Sequence, residues 1–227
     1  MNIVLVHGAW VDGSGWQAVY KILKNRGYNV WIVQQPLTSF IDDVATTKAV
    51  LDLQNGPTIL VGHSYGGSII TEAGMHPNVV GLVYVAAHAP DVGESEGNLA
   101  KMMPSSLPKS AIIETSRGYT FLQPVHFLQN FAPDLPRAQA EFQAISQVMT
   151  AKDVFTSPIT FASWRFKPSW AVVAGSDQII NPQLERMYYQ RANSSTIEIA
   201  GASHSVYASR PNEVADVITK AAKGICW

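Results

Sequence analysis

The sequence predicts an α/β fold: an about six-stranded, mostly parallel sheet flanked by helices, with an inserted helical cap. Two observations lead there. Short, apolar, β-branched runs recur along the 227 residues, and helical stretches alternate with them. That alternation is the pattern of strands covered on both faces by crossover helices. One long stretch, from about Asp91 to Pro168, breaks it.

In chain order, strands are expected at Ile3–Val6, Asn29–Gln34, Thr58–Gly62, Val80–Ala86, Trp170–Ala174 and Thr196–Ala200. Helices are expected over Gly15–Asn25, Ile41–Asp52, Ser64–Met75, Pro182–Arg191 and Pro211–Ala222. Pro211 suits a first helical position, where no amide donor is needed. The interrupting stretch holds seven of the eight phenylalanines and seven of the thirteen prolines, but no convincing buried strand. Pro136–Gln147 has helical periodicity there, with Ala138, Phe142 and Ile145 on one face. The division expected is a core of residues 1–90 and 169–227, with 91–168 inserted as a lid.

Hydrophobic residues make up 47% of the chain, ample for one domain's core. Sixteen basic and seventeen acidic residues nearly cancel, and no basic run stands out, which argues against a nucleic-acid partner. The one cysteine, Cys226, excludes an intrachain disulfide and a cysteine-based metal site. The first apolar run, from Met1, is too short for a signal peptide and lacks a charged start. No segment approaches the length of a membrane span. The expectation is a soluble cytoplasmic protein with no membrane partner.

The most informative stretch is Gly62-His63-Ser64-Tyr65-Gly66. A serine between a strand and a helix, with glycines two residues either side, fits a nucleophile elbow. The turn is too tight for side chains at the flanking positions. A phosphate-binding loop of the Walker type would want Lys after its last glycine, where Ser68 stands.

A serine hydroxyl needs a base within hydrogen-bond reach, and the base needs an orienting group. Loops at the carboxyl ends of later strands supply them in an open sheet. Gly175-Ser176-Asp177 follows one late strand and Gly201-Ala202-Ser203-His204 follows the next. The order Ser…Asp…His follows, with Ser64, Asp177 and His204 as catalytic candidates. His7-Gly8-Ala9-Trp10 ends the first strand, and its Ala9 amide can pair with the Tyr65 amide as an oxyanion hole.

Together these motifs resemble the α/β-hydrolase superfamily, over essentially the whole chain. The resemblance is nearest the small branch of plant methylesterases and hydroxynitrile lyases, with their short bacterial esterase relatives. It rests partly on Gly27-Tyr28-Asn29-Val30 and on the contexts of Asp177 and His204. The resemblance implies that Ser64 is the nucleophile, His204 the base and Asp177 its orienter. It also implies a sheet lacking the superfamily's usual first two antiparallel strands. Six parallel strands would remain, with the lobe after the fourth. Hydroxynitrile lyases of this branch carry Thr after the oxyanion-loop His and Lys after the catalytic His; this chain has Gly8 and Ser205.

The remaining candidates are weaker. Asp91 is a second position from which the fold supplies its acid. His88 is read as a hinge at the lobe boundary, His7 as a tie between loops, His63 as structural and His76 as solvated. Arg117, Arg137 and Arg165 are read as solvent-facing. No histidine pair has the spacing of a zinc site, so neither metal nor cofactor is expected. Trp10, Phe121 and Trp164 are candidate substrate-binding residues, and Tyr65 flanks the same space. The expected function is hydrolysis of a small-molecule carboxylic ester or lactone, medium-sized and largely apolar. Alternatives are a ligand-binding receptor on a hydrolase scaffold, or hydroxynitrile-lyase-like or perhydrolase chemistry. The apolar lobe would suit a homodimer.

Overall fold

A computed structural model describes residues 1–225. Cys226 lies outside the described residues. The strands among them are β1 Asn2–Val6, β2 Asn29–Val33, β3 Thr58–Ser64, β4 Val79–Ala87, β5 Ile112–Glu114, β6 Tyr119–Leu122, β7 Thr150–Ala151, β8 Ser169–Ala174 and β9 Ser195–Ile199. The helices are α1 Gln17–Asn25, α2 Phe40–Asp52, α3 Gly66–Ala73, α4 Glu96–Met102, α5 Pro124–His126, α6 Arg137–Ile145, α7 Pro182–Arg191, α8 Val206–Ser209 and α9 Pro211–Gly224. Six strands form one sheet in the order β2-β1-β3-β4-β8-β9, every pair parallel.

The period of two along each strand divides the core into two layers. Ile3 and Leu5 of β1 pack with Val19 and Leu23 of α1 and Val214 and Ile218 of α9. Val4 and Val6 pack on the opposite face, with Val44 of α2, Ile69 and Ile70 of α3, and Leu184 of α7. Each such side chain contributes about 1.5–3 kcal/mol by leaving water. Because all six strands run the same way, their carboxyl ends share one edge. The loops after β1, β3, β8 and β9 therefore converge there.

Close backbone approach anchors α3 to this sheet. A Cβ on Gly67 would lie 2.1 Å from the carbonyl oxygen of His88 and 2.8 Å from the Ala87 Cβ. Gly67→Ala must therefore push α3 off β4. It is expected to destabilise the chain by about 3 kcal/mol or more, read as a lower denaturant midpoint at unchanged slope.

Three expectations need correction. The helix predicted to begin at Ser64 begins at Gly66, because Ser64 closes β3 with a φ of 55° that no α-helix accepts. The lobe between β4 and β8 is not wholly helical. Its strands β5, β6 and β7 form a small antiparallel sheet, too short for periodicity to reveal. The expected apolar face of α6 points outward: Ala138, Phe142 and Ile145 are exposed, and Ala140 and Ala144 are buried. Small side chains let α6 sit close against the π-helical turn Phe127–Phe131, which large ones would hold away.

Candidate active site

Ser64 is held at the end of β3 with its side chain at the sheet's carboxyl edge. Its φ of 55° is rare for a residue with a Cβ and stores strain of about 1–3 kcal/mol. The surroundings impose it. A Cβ on Gly62 would lie 2.5 Å from the Gly66 carbonyl oxygen, and one on Gly66 would lie 2.7 Å from the His7 carbonyl oxygen. The His88 amide donates to the Ser64 carbonyl at 3.2 Å and fixes the far side of the turn.

The loops after β8 and β9 bring the predicted partners to Ser64. Asp177 Oδ2 lies 2.5 Å from His204 Nδ1, and His204 Nε2 lies 2.8 Å from Ser64 Oγ. With the Nδ1 proton donated to a carboxylate, Nε2 is left as the acceptor of the serine hydroxyl. The other Asp177 oxygen accepts the amides of Ile179 at 2.7 Å and Ile180 at 3.0 Å. Both His204 and Asp177 are buried, so the pair interacts at low dielectric.

Groups with no sequence signal buttress this relay. Phe131 packs edge-on against the His204 ring at 4.7 Å, and its carbonyl accepts the Ser205 amide at 3.1 Å. Asp134 accepts the Ser203 amide at 3.0 Å and the Ser209 hydroxyl at 2.8 Å. Glu185 is fully buried, with one oxygen accepting the Ala174 amide at 3.2 Å. Burial, and then the Asp177 carboxylate beside it, push its carboxyl well above the usual range. It therefore keeps its proton, and its other oxygen is buried without a hydrogen-bond partner among the described residues. An acid in the first turn of α7 reads from sequence as a solvated helix face.

Ala9 and Tyr65 line the same cavity as Ser64. Neither backbone amide has a hydrogen-bond partner among the described residues. The neighbouring Trp10 amide is occupied, donating to Thr150 Oγ1 at 3.0 Å, while its indole donates to Thr120 Oγ1 at 3.1 Å. Trp10 is thus fastened to β6 and β7, with a φ of 62°. The Tyr65 hydroxyl donates to Asp43 at 2.8 Å, and burial raises Asp43 to about 6. Gly8 leaves room for the nucleophile: a Cβ there would lie 2.7 Å from the Ser64 Cβ.

A cavity of about 270 Å³ opens onto Ser64. Trp10, Tyr65 and Phe155 wall it, Gly97, Ala100 and Met103 come from α4 and the turn after it, and Ile179, Ile180 and Leu184 close the core side. Trp10 and Tyr65 stand where the sequence placed them. Phe121 and Trp164 do not reach the cavity. On β6 the alternation turns Thr120 and Leu122 inward and Phe121 away. The Trp164 indole donates to the Pro90 carbonyl at 3.0 Å, with the Arg165 and Arg191 guanidiniums 5.0 and 5.3 Å from its ring.

The other titratable candidates fall as follows. Asp91 pairs with Arg165, Nε to Oδ1 at 2.8 Å, and takes no part in the relay. His7 ties two loops, accepting the Gln35 amide at 3.0 Å; burial lowers it to about 4. His63 bonds the His204 carbonyl at 2.9 Å and is held neutral by burial and by His204. His76 is not solvated but half-buried, 3.0 Å from Asp52. His88, read as a hinge, lines the cavity instead; its Nδ1 lies 3.1 Å from the Tyr188 hydroxyl. Glu96 lines it too, and no sequence pattern flagged it. No helix among the described residues is long and apolar enough to cross a membrane.

Comparison with known proteins agrees with this fold. The model of the alpha/beta hydrolase family matches residues 3–217. Esterase PIR7B of Oryza sativa subsp. japonica is 26% identical over 96% of this chain and 92% of its own length. A pyrethroid hydrolase of Sphingobium wenxiniae is 25% identical over 96% of this chain and 86% of its own. The solved structure of pyrethroid hydrolase PytH with BIF superposes with a TM-score of 0.83 at 21% identity, covering 98% of this chain and 97% of that one. At that identity the last likeness is one of fold.

Proposed function

Since the chain belongs to the alpha/beta hydrolase family, we propose that it is a serine hydrolase of small to medium, largely apolar carboxylic esters or lactones, acting through an acyl-enzyme on Ser64. The observation that carries this reading is the continuous hydrogen-bonded relay from Asp177 through His204 to Ser64, ending at a cavity. The names of the esterase and pyrethroid hydrolase relatives support the same bond class.

The geometry suggests each step. Ser64 Oγ attacks the carbonyl carbon while His204 Nε2 takes its proton. The Ala9 and Tyr65 amides receive the developing oxyanion, each such donor being worth about 3–4 kcal/mol in the transition state. His204 returns the proton to the departing alkoxide. Water then attacks the acyl-Ser64 ester, with His204 again as base. The stretch 91–168 serves as the lid, its α4 covering the acyl chain.

A fluorophosphonate probe tests the mechanism. It is expected to label Ser64 stoichiometrically, mapped by peptide mass, and to abolish hydrolysis of a panel of esters graded in acyl and alcohol size. Label elsewhere, or unlabelled Ser64 on protein that hydrolyses esters, would refute it. Tight ligand binding with no turnover across the panel would point to a receptor instead.

A further inference from the structure

The cavity wall contains one feature that ester hydrolysis does not use. Glu96 is buried at 5% exposure, on the first turn of α4, and lines the largely apolar space above Ser64. Its Oε1 accepts the Ser68 hydroxyl at 2.5 Å. Its Oε2 has no partner at hydrogen-bonding distance; the nearest polar hydrogen-bonding atom recorded beside it, His88 Nε2, lies 3.5 Å away. That is longer than an effective hydrogen bond between these groups.

The groups around this carboxyl carry no net charge at neutral pH. Ser68 comes from α3. His88, at the end of β4, is lowered to about 3 by burial and by His204. Tyr65 of the elbow and Tyr188 of α7 are pushed up by burial. Glu94 and Arg191 pair with each other, Nη1 to Oε1 at 2.7 Å. The remaining ionisable residue on the cavity, Lys109, is exposed. With no cation to offset its burial, Glu96 is raised to about 8 and keeps its proton. A protonated carboxyl whose Oε1 already accepts from Ser68 presents an O–H at Oε2. That O–H faces the cavity, where a ligand oxygen can take the place of water as its acceptor.

Resting on the esterase reading above, we propose that Glu96 anchors the substrate, which is an ester or lactone bearing a second oxygen, ether or carbonyl, that accepts a hydrogen bond from Glu96. Ser64 then acts on one oxygenated group while Glu96 fixes the other, and the apolar walls hold the carbon chain between them. Ionised Glu96 would only accept, and would repel the same oxygen.

Binding to Ser64→Ala, which holds esters without cleaving them, separates this from the chemistry. Dissociation constants would be measured for ethyl hexanoate and for its ether analogues, in which one chain methylene is replaced by oxygen. At about pH 6.5 one analogue is expected to bind about tenfold more tightly than ethyl hexanoate, the effect of one good hydrogen bond. At about pH 9.5 that preference should vanish, because Glu96 has ionised. It should persist at both pH values in Ser64→Ala/Glu96→Gln, whose amide still donates, and vanish at both in Ser64→Ala/Glu96→Met. No preference at the lower pH, a preference unchanged at the higher pH, or one that survives Glu96→Met would overturn the proposal. If Glu96→Met does not fold, the pH comparison decides alone. The esterase reading fails separately, if the unaltered chain turns over none of these esters while the binding pattern stands.

Discussion

Ser64→Ala is expected to lower kcat/KM for any ester the protein hydrolyses by about 10⁴–10⁶-fold. The other parts remain in place, so the residual rate reports what the Ala9 and Tyr65 amides and the cavity achieve alone. KM, or the Kd of an uncleaved ester, should change little, because the hydroxyl faces His204 at 2.8 Å. Ser64→Gly makes a second measurement possible. A glycine adopts a φ of 55° without strain, so this variant should be equally inactive yet more stable than the parent, by about 1 kcal/mol. A higher melting temperature with lost activity would show that strain at the elbow is maintained for function. Activity within tenfold of the parent in either variant would end the acyl-enzyme reading.

Asp177→Asn is expected to cost about 10⁴-fold in kcat with the fold intact. The argument is one of orientation. Oδ1 accepts two backbone amides, from Ile179 and Ile180, so an amide NH₂ cannot occupy that position. The asparagine must turn its NH₂ toward His204 Nδ1. Nδ1 then has to accept, the imidazole proton moves to Nε2, and Nε2 no longer accepts from Ser64. Asp177→Ala, which imposes no tautomer, should therefore lose less activity than Asp177→Asn. Equal losses in the two variants would mean that charge, and not tautomer, is what Asp177 supplies.

How much of this was legible in the sequence depended on where each signal was stored. Ser64, Asp177 and His204 each follow a short β-branched run by a few residues. A parallel sheet places every strand's carboxyl end at one edge, so local pattern was enough to bring them together. Glu96, Glu185 and Asp43 were invisible for the opposite reason. Each sits on a helix, where an acid normally faces water; only tertiary neighbours bury all three and keep Glu96 and Glu185 uncharged. The face of α6 was misread because periodicity ranks Phe142 and Ile145 above Ala140 and Ala144. Close packing reversed that ranking. Phe121 and Trp164 were plausible by chemistry alone, but strand alternation and an indole hydrogen bond to Pro90 took them elsewhere.

The two threonines that hold Trp10 carry a consequence for traffic through the site. Thr120 and Thr150 belong to the small lobe sheet, while Trp10 adjoins the amide of Ala9. A lobe that swung away along this seam would drag the proposed oxyanion donor with it and break two buried hydrogen bonds. Entry by that route would disarm the enzyme each time a molecule arrived. The opposite wall, formed by α4 and the chain through Pro108, has no hydrogen bond to the Ala9–Trp10 loop among the described residues. Movement along the Trp10 seam is therefore the costlier route for arrival and departure.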